Sequence, residues 1–289
     1  MTNVLVTGGS GQLANCIKDV ARKFPKLNLI FKSSSELDIT DFEKTSSIFK
    51  NQNIDYCINC AAYTDVDNAE REYKKAMLVN SYGPKNVSIA CLENDAVLIH
   101  VSTDFVFDGY SSIPYKEEDL PNPLGIYGLS KFRGETAIKE HLKKFFIFRT
   151  SWLYSEHNKN FMKTMIQLSK SKKKLSVVDD QIGTPTYARD LAKTMLKIID
   201  KKNKKYGTYH YSNEGVASWY DFAYAIFKEI ESEIKLCPIK SKDYLTSAKR
   251  PYFSVLDKSK IKMNLDITIP HWRSSLNEAI INLRKEINL

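Results

Sequence analysis

Hydrophobic and polar positions in the first half of the chain switch repeatedly between two rhythms. Short apolar runs at Val4 to Thr7, Leu29 to Phe31, Tyr56 to Cys60, Ala96 to Ser102 and Phe145 to Arg149 read as strands. Amphipathic stretches with helical spacing lie between them. The first follows a glycine-rich turn and runs through Lys23, and the second covers Asp41 to Asn51, opened by Thr40 or Asp41 as cap. A third spans Arg71 to Leu92 with an interruption near Gly83-Pro84, and a fourth runs from Tyr127 to His141. Alternation of this kind predicts an α/β fold, a parallel sheet covered by helices.

After Thr150 the rhythm loosens. Asn160 to Ser169 and Ala188 to Asp200 read as helices, with a short strand at Ser176 to Val178 between them. Ser218 caps a helix through Glu231 whose stripe of Trp219, Phe222, Ala223, Ile226, Phe227 and Ile230 reads as core. No internal repeat or low-complexity linker divides the chain. The expected organisation is a sheet domain over residues 1–150 that also receives residues 185–215, and a smaller C-terminal α/β lobe from 151–184 and 216–289.

Composition narrows the functional classes. The 289 residues are 43% hydrophobic and 27% charged, outside the disordered, collagen-like and coiled-coil ranges. The longest apolar runs, such as Ala96 to Ile99, fall far short of a membrane span, and the strand at the N-terminus leaves no signal-peptide pattern, so a cytoplasmic protein is expected. A net charge of +9 comes largely from lysine runs at Lys172 to Lys174 and Lys201 to Lys205, which read as solvated turns; no nucleic-acid motif accompanies them. Cys57-Ile58-Asn59-Cys60 matches a CxxC spacing, but it sits inside a strand with no second pair and no histidine at ligand spacing. Buried free cysteines and no metal are expected.

Thr7-Gly8-Gly9-Ser10-Gly11-Gln12-Leu13-Ala14 carries the first chemistry. Glycines between a strand and a helix permit a tight turn and close approach of a pyrophosphate, and the helix start offers free N–H groups and a favourable dipole. The spacing Gly8-x-x-Gly11-x-x-Ala14 points to a Rossmann-type doubly wound sheet holding a nicotinamide dinucleotide. At the end of the second strand, Lys32 and Ser33 precede any carboxylate before Glu36, which favours NADP(H), with NAD(H) as the alternative.

Tyr127 and Lys131 lie one helical turn apart and project from one helix face. A tyrosine becomes a useful acid–base group when an ammonium nearby favours the phenolate, and this pair suits proton transfer coupled to hydride transfer at a carbonyl. Ser102-Thr103, ending the fourth strand, adds a hydroxyl for the same carbonyl oxygen.

In this order the motifs resemble the extended short-chain dehydrogenases, and specifically the dTDP-4-dehydrorhamnose reductase family. The matching stretches run nearly end to end. The more specific ones are Ser102-Thr103-Asp104-Phe105-Val106-Phe107-Asp108-Gly109, Arg149-Thr150-Ser151-Trp152-x-Tyr154 and Asp180-Gln181-x-Gly183-x-Pro185-Thr186. The resemblance implies that Gly8, Gly11, Gln12 and Leu13 carry the pyrophosphate and that Asp38 and Ile39 lie near the adenine. It further implies that Ala61, Ala62, Tyr63, Thr64 and Val101 line the rest of the dinucleotide. Tyr127 would protonate the C4 oxygen of a nucleotide-linked keto sugar, Lys131 would lower the tyrosine pKa and hold the nicotinamide ribose, and Thr103 would orient the oxygen. Asp104 and Trp152 would contact the sugar, with Asn160 and Arg250 toward the nucleotide diphosphate. Trp152 has a second reading as packing between the lobes.

Three departures stand out. Ala14 replaces a glycine, Phe105 stands where the family usually has tyrosine, and Cys16 takes the place of a first-helix glutamate that bridges magnesium-linked dimers in some relatives. The last favours a monomer or a weak, metal-free homodimer. The expected activity is NAD(P)H-dependent reduction of dTDP-4-dehydro-L-rhamnose. Two alternatives are a reductase of another nucleotide-linked 4-keto-6-deoxy sugar and a non-catalytic NADP-binding subunit similar to the regulatory subunit of methionine adenosyltransferase.

Overall fold

The computed structural model describes residues 1–287. Five strands, β1 (Thr2–Thr7), β2 (Leu27–Lys32), β3 (Tyr56–Asn59), β4 (Val97–Thr103) and β5 (Phe145–Thr150), together with an edge strand Gly207–His210, form one parallel sheet. The spatial order is edge strand, β5, β4, β3, β1, β2. Strand order reverses between β1 and β3, and a crevice opens there at the C-terminal ends of the strands.

Both faces of the sheet are dry, which is why its strands read as continuous apolar runs rather than alternating ones. Val4, Val6, Ile99, Phe146 and Phe148 pack against the first helix α1 (Gln12–Val20) and the helix Ala188–Asp200. Leu5, Cys57, Leu98 and Ile147 face the other way, onto α2 (Phe42–Gln52) and the helices Gly83–Glu93 and Ile126–His141. A second core, built on Phe222, Ile226, Trp272, Leu276 and Ile280, lies in the C-terminal region. There Lys174–Val178 and Lys235–Ile239 pair in parallel.

Local chemistry accounts for several boundaries. Asp41 caps α2 by accepting from the Lys44 N–H at 3.0 Å. Ser218 and Asp221 form a reciprocal capping box that opens Trp219–Glu229. The stretch predicted as a helix from Arg71 to Leu92 interrupted near Gly83-Pro84 is three pieces, Tyr73–Met77, a π turn at Leu78–Tyr82, and Gly83–Glu93 with Pro84 in its first turn, so the irregularity lies just before the expected place. The helices Ser259–Leu265 and Trp272–Ile287 and the edge strand Gly207–His210 were not anticipated. No described helix is long and apolar enough to cross a membrane.

Candidate active site

A cleft of about 560 Å3 opens above the C-terminal ends of β1, β3, β4 and β5. Its floor begins at the glycine turn. Gly8 has φ +63°, and a Cβ there would lie 2.8 Å from the Ala61 nitrogen, so only glycine fits between β1 and the loop after β3. Gly11 is the N-cap of α1 and supplies no side-chain cap, which leaves the first N–H groups of the helix directed at the cleft. Gln12 and Leu13 border the same space, and Gln12 Oε1 is buried without a protein partner among the described residues. Free helix N–H groups and a close backbone approach fit a dinucleotide pyrophosphate, and the unpaired Gln12 amide oxygen is an acceptor suited to a hydroxyl donor beside it.

The helix Ile126–His141 brings Tyr127 and Lys131 to the opposite wall. Its start is fixed by Glu70, whose Oε1 accepts from the Ile126 N–H at 2.8 Å. Lys131 Nζ is buried and donates to the Val101 carbonyl at 2.6 Å. Burial lowers its pKa to about 8, with Glu135 and Cys60 acting in the opposite direction. Burial also pushes the Tyr127 phenol up to about 12, a rise that the Thr103 hydroxyl moderates and the Asp104 charge reinforces. Desolvation sets the net direction upward, while the Lys131 ammonium donates to the Val101 carbonyl. Asp104, buried beside Thr103 and accepting from its hydroxyl at 3.1 Å, is raised to about 6 by desolvation. The Phe105 ring meets Tyr127 edge-on at 5.6 Å.

Ser102 faces the cleft, but its hydroxyl donates to Glu135 at 2.6 Å and is not free for a carbonyl oxygen. Glu135 is paired with Arg149 in two-pronged fashion, Nε to Oε1 at 3.0 Å and Nη2 to Oε2 at 2.8 Å, with both side chains buried. That pair ties the helix bearing Tyr127 and Lys131 to β5. On the other side, Asn80 sits in the π turn and accepts from the Tyr63 N–H at 2.8 Å. Its amide donates to the Tyr63 carbonyl at 2.9 Å and the Ser130 hydroxyl at 3.0 Å. A π turn re-aims one side chain out of helical register, and such turns concentrate at functional sites.

The remaining sequence-derived residues divide. Ala62, Thr64, Val101, Thr103, Asp104, Trp152, Asn160 and Arg250 border the cleft. The Ile39 side chain is instead packed into the core, so it offers the adenine only backbone; a Cβ at Gly83 would lie 2.5 Å from its Cδ1. The exposed Asp38 accepts from the Thr40 N–H at 2.9 Å. The Ala61 N–H is directed at Asn59 Oδ1 at 3.2 Å, and the Tyr63 hydroxyl donates to Glu72 at 2.7 Å. Asn160 caps the helix Phe161–Ser169, and its amide donates to the Ser155 and His157 carbonyls, so its polar atoms serve the loop. Arg250 is anchored to Asp67 at 2.8 Å. Lys32 and Ser33 lie at the end of β2, outside the cleft lining and beside Glu36.

Trp152 takes both of its readings. Its backbone is left-handed (φ +47°), and its ring stacks on Trp219 at 3.7 Å while bordering both the cleft and the second core. Trp219, read from sequence as core, packs on the second core and also forms part of the cleft wall. Its position as the first residue after the Ser218 cap was the available signal. Lys159 also borders the cleft and was missed.

Cys16 is buried in α1, and its thiol is pushed upward by burial and the charges of Glu156 and Asp19. Its sulfur lies with ligand atoms of Asp19 and His157, all within 4.8 Å of one another, but the Arg189 guanidinium already engages Asp19 at 2.8 Å and Glu156. All five cysteines are free thiols.

The chain matches the family profile described as RmlD substrate binding domain over residues 1–285. It is 40% identical to a dTDP-4-dehydrorhamnose reductase from Aggregatibacter actinomycetemcomitans, across 96% of this chain and 97% of that one. A crystal structure of a dTDP-4-dehydrorhamnose reductase from Clostridium acetobutylicum superposes with a TM-score of 0.93 at 40% identity, covering 98% of this chain and 100% of that one. The Bacillus anthracis enzyme of the same name, solved in complex with NADP, gives a TM-score of 0.93 at 36% identity, covering 98% and 99%. With the glycine turn, the Tyr127–Lys131 pair and these matches spanning almost every residue, the chain belongs to the dTDP-4-dehydrorhamnose reductase family.

Proposed function

We propose that this protein reduces the C4 ketone of dTDP-4-dehydro-L-rhamnose to give dTDP-L-rhamnose, using NADPH or NADH. The observation that carries the reading is that Tyr127, Lys131 and Thr103 border the same cleft as the uncapped start of α1. The N–H groups of Gln12 and Leu13 hold the pyrophosphate, and Ala62, Thr64 and Val101 line the remainder of the dinucleotide. The chemistry supplied by a bound nicotinamide is hydride donation to the ketone carbon.

Everything else falls to the chain itself. Thr103 and Tyr127 orient the ketone oxygen between their hydroxyls. The Tyr127 O–H bond breaks as the new hydroxyl forms at C4, and the Lys131 ammonium stabilises the phenolate left behind. A phenol held near 12 stays protonated throughout the neutral range, as a proton donor must. Trp152 and Trp219 present a flat apolar wall to the sugar ring, while Arg250 and Lys159 supply positive charge for the nucleotide diphosphate.

Purified protein should consume reduced nicotinamide only when the keto sugar nucleotide is added, and the product should co-migrate with dTDP-L-rhamnose. Equal consumption with and without the sugar, or none with either dinucleotide, would remove this reading.

A further inference from the structure

The turn after β2 contains an anion-binding set of donors that the chain fills with its own carboxylate. In doubly wound sheets the end of the second strand meets the 2′ position of the adenosine ribose, where an acid accepts a hydroxyl and basic groups accept a phosphate. β2 ends at Lys32, and the Gly9 N–H donates to the Lys32 carbonyl at 2.7 Å, so this end abuts the glycine turn. The chain then folds back sharply, with the Glu36 and Leu37 N–H groups donating to the Ser33 carbonyl at 3.2 and 2.9 Å. That turn returns Glu36 to the strand end. Its Oε2 accepts from the Ser33 N–H at 2.7 Å and from the Ser33 hydroxyl at 2.6 Å, and its Oε1 lies 4.0 Å from Lys32 Nζ.

A backbone N–H, a hydroxyl and an ammonium converging on one group are what a phosphate monoester recruits. The two bonds from Ser33 hold the Glu36 carboxyl below its ordinary range, so it is an anion at neutral pH. Lys18 Nζ, at 2.8 Å from the Gly9 carbonyl and 5.0 Å from the Phe31 ring, adds a second ammonium near the strand end.

We propose that Glu36 sets the dinucleotide preference by occupying the 2′-phosphate subsite itself: its carboxylate accepts the 2′-hydroxyl of NAD(H) and must swing away before Ser33 and Lys32 can receive the phosphate of NADP(H). The proposal rests on the reductase reading only in that a dinucleotide binds along β1 and β2. It explains how one chain carries basic groups suited to a phosphate and an acid suited to a hydroxyl at the same place.

Glu36→Gln tests it, because the amide keeps the size and the acceptor oxygen while removing the charge. Calorimetric titration of NADP+ and NAD+ into the full chain reads the effect without turnover. Removing one charge close to a phosphate dianion in a water-like, partly screened setting corresponds to about tenfold in Kd. Glu36→Gln should therefore tighten NADP+ by about tenfold while NAD+ changes by less than about threefold, with the kcat/KM ratio for the two reduced forms following. A Kd ratio unchanged from the unsubstituted chain overturns the proposal, as does equal tightening of both dinucleotides. If both dinucleotides bind with the expected ratio change but the keto sugar is not reduced, the reductase reading fails while the Glu36 assignment stands.

Discussion

Replacing Glu135 with Gln removes a charge and almost no volume from the middle of the protein. Glu135 and Arg149 are both buried and joined by hydrogen bonds from two guanidinium nitrogens, with Nε shared between the two carboxylate oxygens; Ser102 donates to the same carboxylate at 2.6 Å and Lys139 at 3.4 Å. Removing one partner of such a pair leaves a buried charge uncompensated, at a cost of about 3–5 kcal/mol. Arg149 keeps a carbonyl acceptor at Glu117, 3.3 Å away, and lies 5.1 Å from the centre of the Phe107 ring, so the lower end of that range, about 3 kcal/mol, is expected. The sign with pH follows from Glu135 itself. Burial opposes its charge, but Arg149 outweighs that and the folded-state pKa falls below the ordinary 4.5. The pair's contribution is therefore present above pH 4.5 and disappears as the pH drops through the lower folded value. Urea unfolding followed by circular dichroism should show the variant losing about 3 kcal/mol at pH 7, with the gap to the unsubstituted protein narrowing below pH 4.5. Glu135 also supports the charge on Lys131, so the alkaline limb of the rate profile should move to lower pH in the same variant. A loss smaller than about 1 kcal/mol, or a gap constant from pH 7 to acid, would refute the reasoning.

Three further outcomes are expected. Tyr127→Phe should lower turnover by about 10²–10⁴-fold while the calorimetric Kd for NADP+ stays within a few-fold, since only the proton donor is lost. Lys131→Met should abolish turnover yet raise the thermal midpoint of the ligand-free protein. The fall from 10.5 to about 8 means that burying the charged form costs about 3 kcal/mol, and losing the bond to Val101 returns about 1 of it. That cost applies at neutral pH and fades as the pH rises from about 8 toward 10.5, so the variant's advantage should shrink over that window. Trp219→Ala should raise the KM for the sugar nucleotide by about tenfold and leave cofactor binding unmoved, because its ring stacks on Trp152 at the substrate end of the cleft.

The sheet was legible because burial on both faces forces unbroken apolar runs, and the caps at Asp41 and Ser218 marked helix starts through their own hydrogen bonds. The edge strand Gly207–His210 was not, since four residues carry little pattern and their place depends on pairing with β5. Trp272–Ile287 did carry a helical stripe, with Trp272, Leu276, Ala279, Ile280 and Leu283 all buried, that was overlooked. Within the cleft, Tyr127, Lys131 and Thr103 could be picked out because spacing and order along the chain relate directly to one helix face and one strand end. Trp219 was hidden by its own stripe, because periodicity reports that a side chain is covered but not what covers it. Asn80 and Glu36 depend on a π turn and a reversal after β2, backbone irregularities that no residue spacing encodes.

The π turn sets a limit on how this chain can be made sturdier. Removing one residue from Leu78–Tyr82 would let the stretch from Tyr73 to Glu93 wind as an uninterrupted α-helix, a gain by every measure of backbone regularity. The same deletion would rotate the preceding segment by about 100° and carry the Asn80 amide off the Tyr63 backbone and the Ser130 hydroxyl. Here an imperfection in a helix is what keeps the cleft wall in place, and repairing it for heat resistance would trade away the working geometry.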